Sequence, residues 1–185
     1  MNIVPTRLAG VLIIEPKVFG DQRGFFCETY QHQRYAAHGI CGRFVQDNIS
    51  RSAGGVLRGL HFQGPKSQGK LVSVLRGRVL DVAVDIRIGS PTFGEHTAVE
   101  LNDENRLQMW VPRGFAHGFL VLSDMADFFY KCDEYYSPAD EHCIRWNDPT
   151  LCIDWGIEAP ALSVRDAKAP LLAELHELPA YEKTA

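Results

Sequence analysis

The chain has 185 residues, 45% of them hydrophobic, which is enough for one well-buried core and too few for two domains of ordinary size. Its 19 basic and 23 acidic residues give a net charge of -4 without long runs of one sign, which argues against partners such as nucleic acid or a membrane surface. Pro5, Arg7, Gly10 and Glu15 interrupt the N-terminal segment, so we expect neither a signal peptide nor a membrane span, and therefore a cytoplasmic protein.

Strand-like runs rich in β-branched and aromatic residues extend through most of the chain, separated by Gly and Pro. In chain order they are 11–14, 25–30, 44–50, 69–75, 79–87, 96–101, 106–111, 118–122 and 128–132. Closely spaced short strands are typical of a β-sandwich or β-barrel. Helices are predicted only at the periphery, over 31–38 before Gly39 and over 170–178 before Pro179. We therefore expect one mainly β domain over residues 1–185, with its function in the β region.

The cysteines indicate a reducing environment. They are five in number, widely spaced, and contain no Cys-x-x-Cys pair, so neither a disulfide framework nor a zinc site is predicted. We expect them to be reduced and packed as small apolar side chains.

The segment 55–63 concentrates polar residues before a turn-like Gly64-Pro65. If it forms a strand, the period of two places His61 and Gln63 on one face. A histidine among such polar neighbours is a candidate general base, although a lone strand histidine is more often a hydrogen-bonded core residue.

The spacing of this segment relative to Lys70, Gly77 and His117 is similar to that of the two motifs with which cupin β-barrels bind metal. In those motifs, two histidines and a glutamate come first, and another histidine follows. Here Gln63 and Lys70 occupy two of the four ligand positions, and an ammonium group beside a divalent cation is electrostatically unfavourable. The sequence therefore predicts a site without metal.

Without metal, a neutral imidazole can remove a C–H proton next to a carbonyl if a cation stabilises the charge that develops on the oxygen. His61 fits the first role and Lys70 the second. Inversion of the carbon also needs an acid on the opposite face, and Tyr130 is a candidate. Each residue has an ordinary alternative, because lysines are usually solvated and tyrosines often lie in cores or interfaces.

Five motifs, taken together in this order and spacing, resemble the dTDP-4-dehydrorhamnose 3,5-epimerase family. They are Asp21-x-Arg23-Gly24-x-Phe26-x-Glu28, Gln46-Asp47-Asn48-x-Ser50, the segment 55–61, Gln68-Gly69-Lys70 and Pro112-x-Gly114-Phe115-Ala116-His117-Gly118-Phe119. The resemblance implies a cupin-type jelly-roll β-barrel with short peripheral helices, acting as a homodimer without cofactor or metal. It implies inversion of C3 and C5 of dTDP-4-dehydro-6-deoxy-D-glucose to give dTDP-4-dehydro-L-rhamnose, in dTDP-L-rhamnose biosynthesis.

The same resemblance assigns roles to residues. His61 is the base, Tyr130 the acid, Lys70 the group facing the C4 oxygen, and Asp166 the partner of the base, which would otherwise be taken for a surface aspartate. The substrate-binding residues implied are Arg23, Phe26, Glu28, Gln46, Asn48, Arg58, Lys70, His117, Tyr136, Glu141 and Arg165.

The substrate-binding assignments leave three points open. Arg58 and Arg165 suit phosphate oxygens, but the family commonly has lysine at position 165, which leaves the contact made by Arg165 open. Phe26 and Tyr136 either sandwich the thymine or form a dimer contact. The segment 23–28 is implied to reach into the partner's site.

Three alternatives remain at this stage. A related enzyme that inverts only one centre would use the same His, Lys and Tyr. A non-catalytic module on the same barrel would bind the nucleotide sugar without exchanging its protons. A metal-dependent cupin would contain stoichiometric metal and lose activity with a chelator.

Overall fold

The computed structural model describes residues 1–182 and consists mainly of antiparallel strands. The strands are β1 Asn2–Pro5, β2 Leu12–Glu15, β3 Val18–Asp21, β4 Gly24–Cys27, β5 Gln46–Ala53, β6 Leu57–Gln63, β7 Lys70–Arg76, β8 Arg78–Asp85, β9 His96–Asn102, β10 Gln108–Val111, β11 Phe115–Val121, β12 Met125–Cys132 and β13 Glu141–Cys143. The helices are α1 His32–Ala36, α2 Val164–Ala167 and a 3₁₀ turn, Leu172–Glu174.

Two sheets form the body of the molecule. One has the strand order β1-β2-β10-β7-β12-β5 and the other the order β13-β6-β11-β8-β9, while β3 and β4 form a separate hairpin. With 43% strand and 7% helix in antiparallel sheets, the predicted mainly β, cupin-type jelly-roll fold is confirmed. No helix within residues 1–182 is long and apolar enough to cross a membrane.

Apolar side chains fill the space between the two sheets. Val72 and Phe128 from the first sheet pack in one cluster with Ala83 and Phe119 from the second. Aromatic stacking adds to this contact, because the ring centroids of Phe119 and Phe128 lie 4.0 Å apart. Apolar packing therefore fills the space between the sheets around these four residues.

The outer faces of both sheets are also covered. A second cluster joins Leu60 and Val84 of the second sheet to Trp155 and Leu172 of the C-terminal segment. A third joins Ile14 and Trp110 of the first sheet to Tyr35 of α1 and to neighbouring residues. Burial on both faces explains why several strands have continuous apolar runs instead of strict alternation.

The C-terminal helix predicted over 170–178 is wrong, since only Leu172–Glu174 form a helical turn. Short helices have little stability of their own, so tertiary contacts decide whether such a segment becomes helical. Here the chain continues in extended form and forms an isolated β-bridge to Ile88, three residues after the end of β8, where the N–H of Ile88 donates to the carbonyl of Pro179 over 2.8 Å.

The strand predicted over 25–30 also ends early, at Cys27. The carbonyl of Thr29 accepts hydrogen bonds from Tyr35 and Gln108 instead of from a neighbouring strand. α1 is confirmed as His32–Ala36, inside the predicted range, but the sequence did not predict α2.

Candidate active site

A cavity of about 340 Å³ opens between the two sheets. Strands β5, β7 and β12 of one sheet and β6 and β13 of the other contribute to it. It brings together three of the four predicted catalytic residues, His61, Lys70 and Tyr130. The complete lining is Gln46, Asn48, His61, Phe62, Gln63, Gln68, Lys70, Tyr130, Cys132, Tyr136 and Glu141.

His61 is held by Asp166 from the opposite end of the sequence. The Nε2 of His61 lies 2.6 Å from Oδ1 of Asp166, whose side chain is only 3% exposed. Ser163, the N-cap of α2, accepts a hydrogen bond from the N–H of Asp166 and so fixes the turn that carries the carboxylate. Asp166 is therefore a buried partner of the imidazole and not a surface aspartate.

The pKa of Asp166 reflects two opposing effects. Burial by itself raises the pKa, but hydrogen bonds to His61, Ser163 and the backbone of Gly59, together with the charge of His61, outweigh burial. The pKa of Asp166 lies below its ordinary value. A carboxylate is thus present to orient the imidazole and to stabilise it when it becomes positively charged.

Lys70 and Tyr130 lie on adjacent strands and point into the same cavity. Lys70 is directly opposite Cys132 in the β7–β12 ladder, and Tyr130 precedes Cys132 by two residues, so all three share one face. Burial lowers the pKa of Lys70, against the effect of Cys132, Glu141 and Asp81. Burial also raises the pKa of Tyr130, which keeps the phenol protonated and able to donate.

A second recess, of about 330 Å³, continues from the first and shares His61 and Glu141 with it. Arg58 and Arg165 line this recess. Arg165 donates hydrogen bonds to the side chain and to the carbonyl of Glu141, and Arg58 donates to Ser52 over 3.0 Å. Two guanidinium groups beside His61 form a site that suits a phosphate-bearing ligand.

A chain of hydrogen bonds links most of the remaining predicted binding residues. Gln46 donates to Asn48 over 3.0 Å and accepts from the N–H of Tyr136 over 2.9 Å. The hydroxyl of Tyr136 donates to Glu141 over 2.8 Å, and this bond raises the pKa of Tyr136. The rim of the cavity is therefore a connected polar network.

His117 is placed differently from the other predicted binding residues. It is buried on β11, directly opposite His61 in the ladder with β6, and does not line the cavity. Its Nε2 lies 2.8 Å from Oδ1 of Asp81, and its ring stacks on Phe128. The Oδ2 of Asp81 is buried and has no hydrogen-bond partner among residues 1–182.

Three predicted binding residues lie on or next to the hairpin β3–β4, away from this cavity. Arg23 and Phe26 line a recess of the hairpin itself, and Phe26 is 68% exposed. Glu28 forms an ion pair with Arg34 at 2.8 Å. Within one chain, the structure thus does not bring these residues to His61.

Sequence reasoning missed several residues of the site. Ser52 and Asp81 contact predicted site residues, while Gln68 and Cys132 line the cavity. The alternating pattern of β8 could have identified Asp81, because an aspartate on the buried face of a strand needs a hydrogen-bond partner. Among residues 1–182, no group of three His, Cys, Asp or Glu side chains is arranged to hold a metal ion.

Residues 5–174 match the family model for dTDP-4-dehydrorhamnose 3,5-epimerase. The chain is 54% identical over 177 residues to the enzyme of that name from Salmonella typhimurium, covering 93% of this chain and 96% of the relative.

The solved structures that are similar to this chain include the following two. One is dTDP-6-deoxy-D-glucose-3,5-epimerase RmlC from Legionella pneumophila in complex with dTDP-4-keto-L-rhamnose, with 57% identity, a TM-score of 0.96 and 98% of each chain covered. The other is ChmJ, a 3'-monoepimerase from Streptomyces bikiniensis in complex with dTDP-quinovose, with 38% identity, a TM-score of 0.90 and coverage of 96% of this chain and 92% of that one. At this identity and coverage, the chain belongs to the dTDP-4-dehydrorhamnose 3,5-epimerase family.

Proposed function

We propose that this protein is an isomerase that inverts C3 and C5 of dTDP-4-dehydro-6-deoxy-D-glucose to give dTDP-4-dehydro-L-rhamnose, a step of dTDP-L-rhamnose biosynthesis. The observation that carries the proposal is the pair of His61 and Asp166, 2.6 Å apart, at the cavity that also contains Lys70 and Tyr130. Relatives with about half of their residues identical bear the name of this activity. We propose that the enzyme works in the cytoplasm, in keeping with its five unpaired cysteines.

The first step is proton abstraction by His61. The neutral imidazole takes the proton from the carbon next to the C4 carbonyl, and the electron pair of the broken C–H bond moves to form an enolate. Lys70 stabilises the negative charge on the C4 oxygen, and Asp166 stabilises the imidazolium that results. The side chains of this chain supply both the base and the counter-charge, so the step needs no cofactor.

The second step is reprotonation on the opposite face. Tyr130 donates its phenolic proton to the same carbon, and the enolate collapses back to the ketone with inverted configuration. Solvent then returns a proton to the tyrosinate and removes one from the imidazolium. The same sequence at the other carbon completes a double inversion.

The nucleotide part of the substrate would occupy the recess beside this chemistry. Arg58 and Arg165 are suited to the diphosphate oxygens, and Gln46, Asn48, Tyr136 and Glu141 form the connected rim. The binding energy of the nucleotide, gained away from the reacting carbons, can orient the sugar between His61 and Tyr130.

We further propose that the protein is a homodimer whose hairpin completes the partner's site with Arg23, Phe26 and Glu28. Exposed aromatic rings on the hairpin support this, since Phe25 and Phe26 are 60% and 68% exposed within one chain. Mixing His61→Ala chains with Arg23→Ala chains tests it. Half of the randomly assembled dimers are mixed, and one of their two sites has both residues, so about a quarter of wild-type activity should return. If each chain uses its own hairpin, mixing restores nothing.

The decisive experiment for the reaction is incubation of the dTDP-4-ketosugar in deuterated water. Deuterium at both C3 and C5 of an L-configured product supports double inversion. Incorporation at one centre would instead support a single-centre epimerase, an alternative favoured by the likeness to ChmJ. Binding of dTDP without any exchange would indicate a non-catalytic module, and activity that disappears with a chelator would indicate a metal enzyme.

A further inference from the structure

Gln63 stands where cupin motifs usually supply a metal ligand, yet its side chain contacts backbone instead. It is buried, with 4% of its surface exposed, at the end of β6 two residues beyond His61. Its Nε2 donates to the carbonyl of Lys66 over 2.8 Å and to that of Tyr135 over 3.3 Å. Its Oε1 accepts from the N–H of Ser137 over 2.9 Å.

These three bonds join separate parts of the site. Lys66 belongs to the loop that leads into Lys70, and Tyr135 and Ser137 flank Tyr136 on the loop between β12 and β13. Both amide hydrogens of Gln63 are used for backbone carbonyls, so the side chain has none left to donate to a ligand. Although Gln63 lines the cavity, its bonding therefore suits it to holding the loops rather than to contacting the sugar.

We propose that Gln63 is a positioning residue that fixes Tyr136 at the nucleotide end of the site. The backbone of Tyr136 lies between two groups held by Gln63, and its N–H also donates to Gln46. The hydroxyl of Tyr136 donates a hydrogen bond to Glu141, which is directly opposite Gln63 in the β6–β13 ladder. Gln63 thus holds both the loop that carries Tyr136 and, through the ladder, the strand that carries its partner. This inference rests on the proposed function only for the identity of the ligand.

The test is the variant Gln63→Glu, which keeps size and acceptor but replaces both donors with a carboxylate oxygen facing two carbonyls. Binding of dTDP should weaken at least about ten-fold, because both hydrogen bonds from the amide nitrogen to the loop carbonyls are lost. In turnover, KM should rise by a similar factor with kcat nearly unchanged, because the chemistry at His61 is not touched. A fall in kcat with constant KM would overturn the proposal and place Gln63 at the sugar.

A matched control separates positioning from general stability. Asn102 is also buried and also binds loop backbone, accepting from the N–H groups of Glu104 and Asn105 away from the cavity. Asn102→Ala should lower the melting temperature while leaving the dTDP affinity unchanged. An equal loss of affinity in the Asn102→Ala and Gln63→Glu variants would reduce the role of Gln63 to ordinary folding stability and would contradict the proposal.

A measurement without ligand keeps this test independent of the proposed reaction. Hydrogen exchange of the peptide spanning 133–140 should become faster in Gln63→Glu and stay as in wild type in Asn102→Ala. Unchanged exchange in Gln63→Glu would overturn the proposal even if the enzyme is active. Faster exchange in a protein that proves inactive on the dTDP-ketosugar would support the positioning role while removing the proposed substrate.

Discussion

His61 and Asp166 are separated by 105 positions in the sequence, yet their side chains meet at 2.6 Å. β6 supplies the imidazole and the short helix α2 supplies the carboxylate. The pair depends on the C-terminal segment, which packs against the outer face of the second sheet through Trp155 and Leu172. The geometry of the His61–Asp166 pair is therefore set by packing at a distance from the cavity.

Asp166→Asn is expected to slow proton exchange by about 10²- to 10⁴-fold, because the amide keeps the shape but not the charge that stabilises the imidazolium. The rate of deuterium incorporation into the dTDP-4-ketosugar measures this. The exposed Asp154 provides a matched control, and Asp154→Asn should exchange at the wild-type rate. Wild-type exchange in Asp166→Asn would remove Asp166 from the mechanism.

Part of this site could be predicted from local pattern alone. The period of two in β6 correctly placed His61 and Gln63 on one face, and both line the cavity. Lys70 was predicted from the spacing of the motif, and its side chain also lines the cavity. The inference on β6 works because alternate side chains of a strand lie on the same face.

The rest depended on tertiary structure. No periodicity connects Asp166 to His61, and the pairing was expected only from the family resemblance. Asp81 was not predicted as the partner of His117, because that contact crosses between strands β8 and β11. The C-terminal helix was wrong because pairing with Ile88 overrides local propensity.

Lys70→Ala should reduce the rate of enolate formation by about 10²- to 10³-fold, as when one oxyanion-stabilising donor is removed. Single-turnover exchange in deuterated water reports this step directly. Lys131→Ala is the matched control, because Lys131 lies one residue from Tyr130 on the same strand but pairs with Asp47 outside the cavity. Unaltered exchange in Lys70→Ala would exclude Lys70 as the oxyanion partner.

Tyr130→Phe should still exchange protons but form little inverted product. The proposed base, His61, is intact in this variant, while the proposed donor on the opposite face is lost, so we expect protons to return to the face from which they left. NMR of the sugar in deuterated water distinguishes exchange with retention from inversion. Equal loss of exchange and inversion would contradict an acid role for Tyr130.

Asp81→Asn is expected to move the alkaline limit of activity to lower pH. The charge of Asp81 opposes the effect of burial and raises the pKa of Lys70, so removing it lowers that pKa further. In the proposed mechanism Lys70 acts in its protonated form, so activity is lost as pH rises through the pKa of Lys70. A lower pKa therefore moves the alkaline limit to lower pH. The pH profile of proton exchange measures the shift. Asp85→Asn, on the same strand and fully buried, should leave the alkaline limit in place.

Asp85 itself stabilises the fold through a buried cluster. Burial raises its pKa, but hydrogen bonds from Arg87, Ser90 and Thr92 outweigh burial and hold the pKa of Asp85 at about 2. A depressed carboxyl pKa stabilises the folded state above the unfolded value of 3.8, and this contribution is lost as pH falls towards 2.

Asp85→Asn should therefore lower the free energy of unfolding by about 2 kcal/mol at pH 7, and by roughly half as much at pH 3. Urea unfolding of both proteins at the two pH values measures the difference. The hydroxyl of Ser90 donates to Asp85 over 2.6 Å, so Ser90→Ala should give a smaller loss with the same pH dependence. A loss in Asp85→Asn that stays constant between pH 7 and pH 3 would show that the carboxylate charge is not what stabilises this cluster.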